Sequence, residues 1–134
     1  MVSGKLIRRV GAAALVLPMG DHLIAPVLTI LLAPALMWSV FGPGAIGALV
    51  FFVVLGVYQI ACIGVLLKSR STLLLFLGIP GNLVSIIIYF ISLSGVTIFG
   101  VPPQNGGAFA LLIKGLEAVF VLASIYVLAN ARGG

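Results

Sequence analysis

Acidic residues are almost missing from this chain. Asp21 and Glu117 are the only two in 134 residues, against seven Lys and Arg and a single histidine, His22. Charged residues make up 7% and hydrophobic ones 63%, which excludes a soluble globular domain, whose water-facing surface needs about a quarter of its residues charged. The one cysteine, Cys62, excludes an intramolecular disulfide and any paired-cysteine redox or haem-attachment motif. It reads as a small apolar packing residue. A single histidine cannot supply both axial ligands of a haem. A metal held by His22, Asp21 and Glu117 would have no characteristic ligand spacing behind it, so neither a cofactor nor a metal is expected. Phosphate-binding glycine loops of Walker or Rossmann form are lacking too; Gly42-Pro43-Gly44 and Gly106-Gly107 read as turns. No serine lies in a nucleophile motif, and catalysis by this chain alone is not expected.

What remains is hydrocarbon in long runs. A membrane span needs about 20 apolar residues, and four candidates cover approximately 9–36, 45–67, 72–95 and 108–131. Turn residues or charges separate them: Phe41-Gly42-Pro43-Gly44, Lys68-Ser69-Arg70-Ser71, and the stretch from Gly100 to Gly107. The expected fold is an all-α integral membrane four-helix bundle, one domain over 1–134, running up-down-up-down. Lys5, Arg8 and Arg9 precede the first span, Lys68 and Arg70 join the second to the third, and Arg132 follows the fourth. With both termini cytoplasmic, all of these cations fall inside, as the positive-inside rule requires.

The net charge of +5 therefore reports orientation in a plasma membrane. No basic motif suggests nucleic acid as a partner. Residues 1–20 could be a signal peptide, but Met19-Gly20-Asp21-His22 offers no small-residue cleavage site. A separate span beginning at residue 23 would also put Lys68 and Arg70 outside. One long first helix is expected instead, over-long for a ~30 Å core and so tilted, kinked or protruding. Trp38, at its outer edge, reads as an interface anchor.

Both acids, the histidine and Lys114 fall within these spans, where an ionisable group costs roughly 2.5–3.5 kcal/mol and usually faces the bundle interior. Gly78, Asn82, Ser85, Tyr89 and Ser92 recur at steps of four and three, on one helical face. Lys114, Glu117 and Ser124 form a sparser stripe in the fourth span, and Gly56 and Gln59 share a side of the second. Ser85, Ser92 and Ser124 read as packing residues, since small polar side chains commonly join membrane helices. In the first span, Pro18, His22 and Pro26 are spaced by four. Pro26 cannot bond the carbonyl of His22, so the prolines either merely kink the helix or open it beside Asp21, as in the interrupted helices of ion transporters.

Depth sharpens the pattern. At 1.5 Å per residue, Asp21 and His22 lie roughly 18–20 Å above the cytoplasmic edge, Asn82 roughly 15 Å, and Lys114 and Glu117 approximately 21 and 17 Å. Gln59 comes out deeper, about 9 Å from the inside. A polar layer of Asp21, His22, Asn82, Lys114 and Glu117 follows, with Gln59 and Tyr89 as secondary polar positions and Pro18 and Pro26 as kinks. Lys114 either pairs with Glu117 or snorkels to the interface.

Gly78-x-x-Gly81-Asn82-Leu83, then Tyr89-Phe90-x-Ser92, Phe99-Gly100-x-Pro102 and Glu117 together resemble a family of small four-span prokaryotic membrane proteins. That family pairs an Asn in span three with a Ser-Arg-Thr and Gly-Pro turn and a Glu in span four. A His in the first span and a Gln in the second also recur in it, which His22 and Gln59 would match. The similarity extends over most of residues 20–128. Leu93 stands where the family has Arg, which leaves Lys114 as the cation for Glu117. The resemblance brings no activity with it.

Three functions fit these observations. Small size and very short loops favour a non-catalytic accessory or structural subunit, its polar layer locking the bundle and its outer faces meeting lipid, other membrane subunits or further copies of itself. The alternative is a small oligomeric proton- or cation-coupled transporter or channel using His22, Asp21 and Glu117. The third is a redox or metal enzyme working inside a complex.

Overall fold

A computed structural model describes residues 3–35, 39, 42–97 and 107–131. Trp38, Arg132 and the Phe99-Gly100-x-Pro102 turn lie outside these residues. The described part is all-helical. Helices α1 (Gly4–Leu32), α2 (Ala45–Lys68), α3 (Thr72–Ser92) and α4 (Ala108–Ala131) are each long and apolar enough to cross a membrane. Gly42, at φ +57°, opens a 3-10 turn over Gly42–Gly44 that leads into α2; that left-handed conformation is one glycine adopts without penalty. Ser71 starts α3 by accepting a hydrogen bond from the Leu74 N–H on its side chain, the usual means of satisfying one orphan donor at a helix N-terminus.

Each helix neighbours two others around a four-membered ring: α1 packs most heavily on α2 and α4, α3 on α4, and α2 more lightly on α3. Two glycines set the close approaches. A Cβ on Gly56 would lie 2.6 Å from the Cβ of Leu23, and one on Gly11 would lie 2.6 Å from that of Ala123. Small residues let membrane helices approach in this way, because no hydrophobic effect drives them together in lipid. Outward-facing positions such as Leu31, Leu32, Val54, Phe76 and Leu122 are exposed on every helix. So large an apolar exterior marks a surface covered by lipid or protein.

The bundle has two unlike halves. Towards Lys5, Arg9, Lys68 and Arg70, a close-packed apolar core gathers Ala12, Leu15, Cys62, Leu66, Leu75, Phe120 and Val121. Arg8 fastens this end: its Nη1 donates to the carbonyls of Leu66 (2.7 Å) and Ser69 (2.8 Å). A cation is favourable there because the last carbonyls of a helix lack partners and carry the negative end of its dipole. Arg8 thus joins α1 to the end of α2, a role beyond orientation.

Of the two readings of the first-span prolines, the open helix does not occur, since α1 is helical without interruption through Pro18 and Pro26. Each proline removes one ladder bond, and the flanking bonds hold the turn. A different proline recruits a side chain. Pro80 lies inside α3, and beside it the Tyr58 hydroxyl donates to the carbonyl of Leu77 (2.6 Å) and accepts from the N–H of Gly81 (3.1 Å). These two backbone groups would pair directly in an unbroken ladder. The ring fits only because residue 81 has no side chain, as a Cβ there would overlap it.

Gly81→Ala should therefore destabilise the bundle by about 1–3 kcal/mol, the usual range for overpacking. Tyr58→Phe should cost only about 1 kcal/mol, since Gly81 N–H can then bond Leu77 directly. Thermal midpoints in detergent for both variants and for Tyr58→Ala/Gly81→Ala would check this. Strictly additive losses in the double variant would contradict the packing account.

Candidate functional site

Where the two halves meet, one hydrogen-bonded network draws a side chain from every helix. On α3, the predicted stripe is buried along its whole length, Gly78, Asn82, Ser85, Tyr89 and Ser92 alike. Asn82 is fixed first: its Nδ2 donates to the Gly78 carbonyl at 2.9 Å, as an asparagine can do one turn back along its own helix. Its Oδ1 therefore faces α2 and accepts from Gln59 Nε2 at 3.0 Å. The second hydrogen of that amide goes to Glu117 Oε2 at 2.9 Å. With both amide hydrogens committed, Gln59 Oε1 can only accept, and it lies 2.9 Å from His22 Nδ1. His22 must therefore carry a proton on Nδ1. Its Nε2 makes no hydrogen bond among the described residues, and its ring stacks on Phe52 with centroids 5.8 Å apart.

The fourth helix closes the chain. Lys114 Nζ donates to Glu117 Oε1 at 2.6 Å and to Ser85 Oγ at 2.8 Å. Gln59, Asn82 and Glu117 are wholly buried, and the Lys114 side chain is 11% exposed. Glu117 and Lys114, one turn apart on α4, form an ion pair whose remaining polar atoms are met by Gln59 and Ser85. A buried pair tolerates desolvation only on that condition.

Of the expected layer, then, His22, Asn82, Lys114 and Glu117 lie in one connected network. Asp21 does not join it. It is half-buried, forms no hydrogen bond or ion pair with another described residue, and lines a cavity beside the network. Gln59, expected well below the layer, is its centre. Helix α2 has 24 residues, roughly 36 Å and longer than a ~30 Å core, so a count from its outer end pushes Gln59 too deep. Counting from Lys68 instead gives roughly 13 Å, level with Asn82. Ser85, read as packing, serves as an acceptor for Lys114. Ser92 bonds locally to the Tyr89 carbonyl. Lys114 does not snorkel.

The half-open cavity, about 110 Å³, lies on the side of the network away from the basic residues. Asp21, His22, Tyr89 and Lys114 supply its ionisable lining. The Tyr89 hydroxyl is buried without a hydrogen-bond partner among the described residues, and Lys114 Nζ lies 5.8 Å from the centre of the same ring. No group of three or more His, Cys, Asp or Glu able to hold a metal occurs among the described residues. No protein-family model, curated protein or solved structure matches this chain.

Proposed function

We propose that this protein is a non-catalytic, multi-pass component of the prokaryotic plasma membrane, an accessory or structural subunit of a larger membrane assembly. The observation that carries the reading is the network itself. A histidine, a glutamine, an asparagine, a serine and a lysine–glutamate pair from four helices satisfy one another inside the bundle, while the exterior remains apolar. Interhelical hydrogen bonds of this kind contribute on average about 0.6 kcal/mol each in membranes, so their main effect is to select one helix arrangement. The contacts of Gln59 with His22, Asn82 and Glu117 support an up-down-up-down order. The basic residues at one end support cytoplasmic termini. The same residues favour membership of the small four-span family that the sequence resembles.

The transporter reading is weaker for a physical reason. An ion reaching His22 from the cavity would meet Leu15, Phe120 and the rest of the close-packed apolar core beyond, which opposes passage through a single bundle. Purification from the native host in mild detergent, with mass spectrometry of whatever remains bound, is the test. Defined membrane partners at fixed stoichiometry, and no flux from the purified chain in liposomes, are expected. A proton-coupled flux that disappears in Glu117→Gln would overturn the proposal.

A further inference from the structure

The network leaves out one ionisable group of the helix interiors, the half-buried Asp21. Lys114 is neutralised by Glu117 at 2.6 Å, and Gln59 and Asn82 are uncharged. On α1, Asp21 faces the cavity with no cation or hydrogen-bond donor of its own among the described residues. A second group there is also unsatisfied: the buried Tyr89 hydroxyl, from α3. The buried Tyr89 hydroxyl lacks the partner that buried polar groups otherwise have, and the half-buried Asp21 adds negative charge to the same cavity, so a ligand that is positive and can donate a hydrogen bond suits both.

The remaining lining decides which cation. It is mostly carbon, chiefly from Phe51, Phe52, Leu55 and Ile88, and its two serine hydroxyls are already engaged, Ser85 by Lys114 and Ser92 by the Tyr89 carbonyl. A hard metal ion is held by a cage of oxygens, which this surface cannot build. An ammonium carrying methyl groups suits it, with its N–H towards the carboxylate and its carbons against aromatic faces that attract cations. Size agrees as well: where a ~150 Å³ cavity holds benzene, about 110 Å³ holds roughly four or five heavy atoms. An anion would meet Asp21 and find Lys114 already paired.

We propose that the cavity between the polar network and the end of the bundle opposite the basic residues is a binding site for one small alkylammonium ion, with Asp21 as its counter-charge. The site is independent of whether the protein works within a larger assembly, and it needs no passage through the bundle. Asp21 supplies the charge, Tyr89 a hydroxyl acceptor, and the phenyl rings the walls. The His22–Gln59–Glu117 chain forms a rigid floor.

Thermal unfolding of the full chain in detergent tests this, followed by a thiol-reactive dye that reports exposure of the buried Cys62. Dimethylammonium chloride, whose two N–H groups can serve Asp21 and Tyr89 together, should raise the midpoint saturably, by roughly 3–6 °C, and sodium chloride at equal ionic strength should not. The rise should vanish in Asp21→Asn, which disturbs no hydrogen bond within the bundle. It should also vanish in Ala110→Leu, whose added side chain occupies the cavity, so either variant suffices should the other fail to fold. An equal rise with sodium, no rise in the unaltered protein, or a rise that persists in the folded variants would overturn the proposal.

Discussion

Replacing Gln59 with methionine is expected to loosen the whole bundle while leaving its packing volume almost unchanged. Gln59 takes part in three of the network's interhelical bonds, to His22, Asn82 and Glu117. The bonds alone would account for about 2 kcal/mol at the average measured between membrane helices. Their loss also strands groups on three buried residues: the His22 Nδ1–H, the Asn82 Oδ1 and the Glu117 Oε2. An orphaned buried partner costs about 1–3 kcal/mol, and more when charged. The expected total is at least about 5 kcal/mol, read as unfolding at a much lower SDS fraction in a detergent titration. A variant as stable as the original protein would show that these contacts do not hold the helices together. Gln59→Glu should be worse than methionine, because it sets a second carboxylate against Glu117 in a medium of low dielectric.

The importance of Gln59 bears on how far residues can be read from sequence. Helical periodicity exposed the α3 stripe because Asn82, Ser85, Tyr89 and Ser92 all obey it, and each is buried. Apolar runs and charged breaks placed the four helices to within a few residues, with α4 at Ala108–Ala131. Depth, unlike face, needs an absolute origin. Helix α2 overshoots the hydrocarbon, so its outer end was the wrong place to count from, and Gln59 was set too deep.

Other residues were hidden for a different reason. Arg8 looked like an orientation signal because nothing local to α1 records that the end of α2 lies beside it. Tyr58 bridges Leu77 and Gly81 across two helices, and a pairwise approach of that kind leaves no periodic trace. Pro18 and Pro26 leave two readings open in sequence, because a proline predicts a missing bond and says little about whether the helix around it yields. The buried ions and the pairing of Lys114 with Glu117 are legible in the sequence; Gln59 and Ser85 as their further partners are not.

The Lys114–Glu117 pair supplies the sharpest test of how the network works. Removing either partner strands the other as an uncompensated charge in a nearly closed site. Lys114→Met and Glu117→Met should each cost about 3–5 kcal/mol, the range seen when a buried pair is broken from one side. The double variant should behave differently. With both charges gone no charge is left uncompensated: Gln59 keeps its bond to Asn82, the Ser85 hydroxyl is free to turn to a new partner, and the one group stranded is the second Gln59 amide hydrogen, at about 1–3 kcal/mol. Replacing a whole buried pair with apolar side chains of similar volume is often close to neutral. Lys114→Met/Glu117→Met should therefore be more stable than either single variant, with a coupling of several kcal/mol in a double-mutant cycle measured by SDS titration. Additive losses would mean that the two side chains act separately, as a snorkelling lysine and an isolated acid would. A strong coupling would mean that the two charges act as one unit on α4, and that the interhelical bonds from Gln59 to Glu117 and from Lys114 to Ser85 are built on that unit.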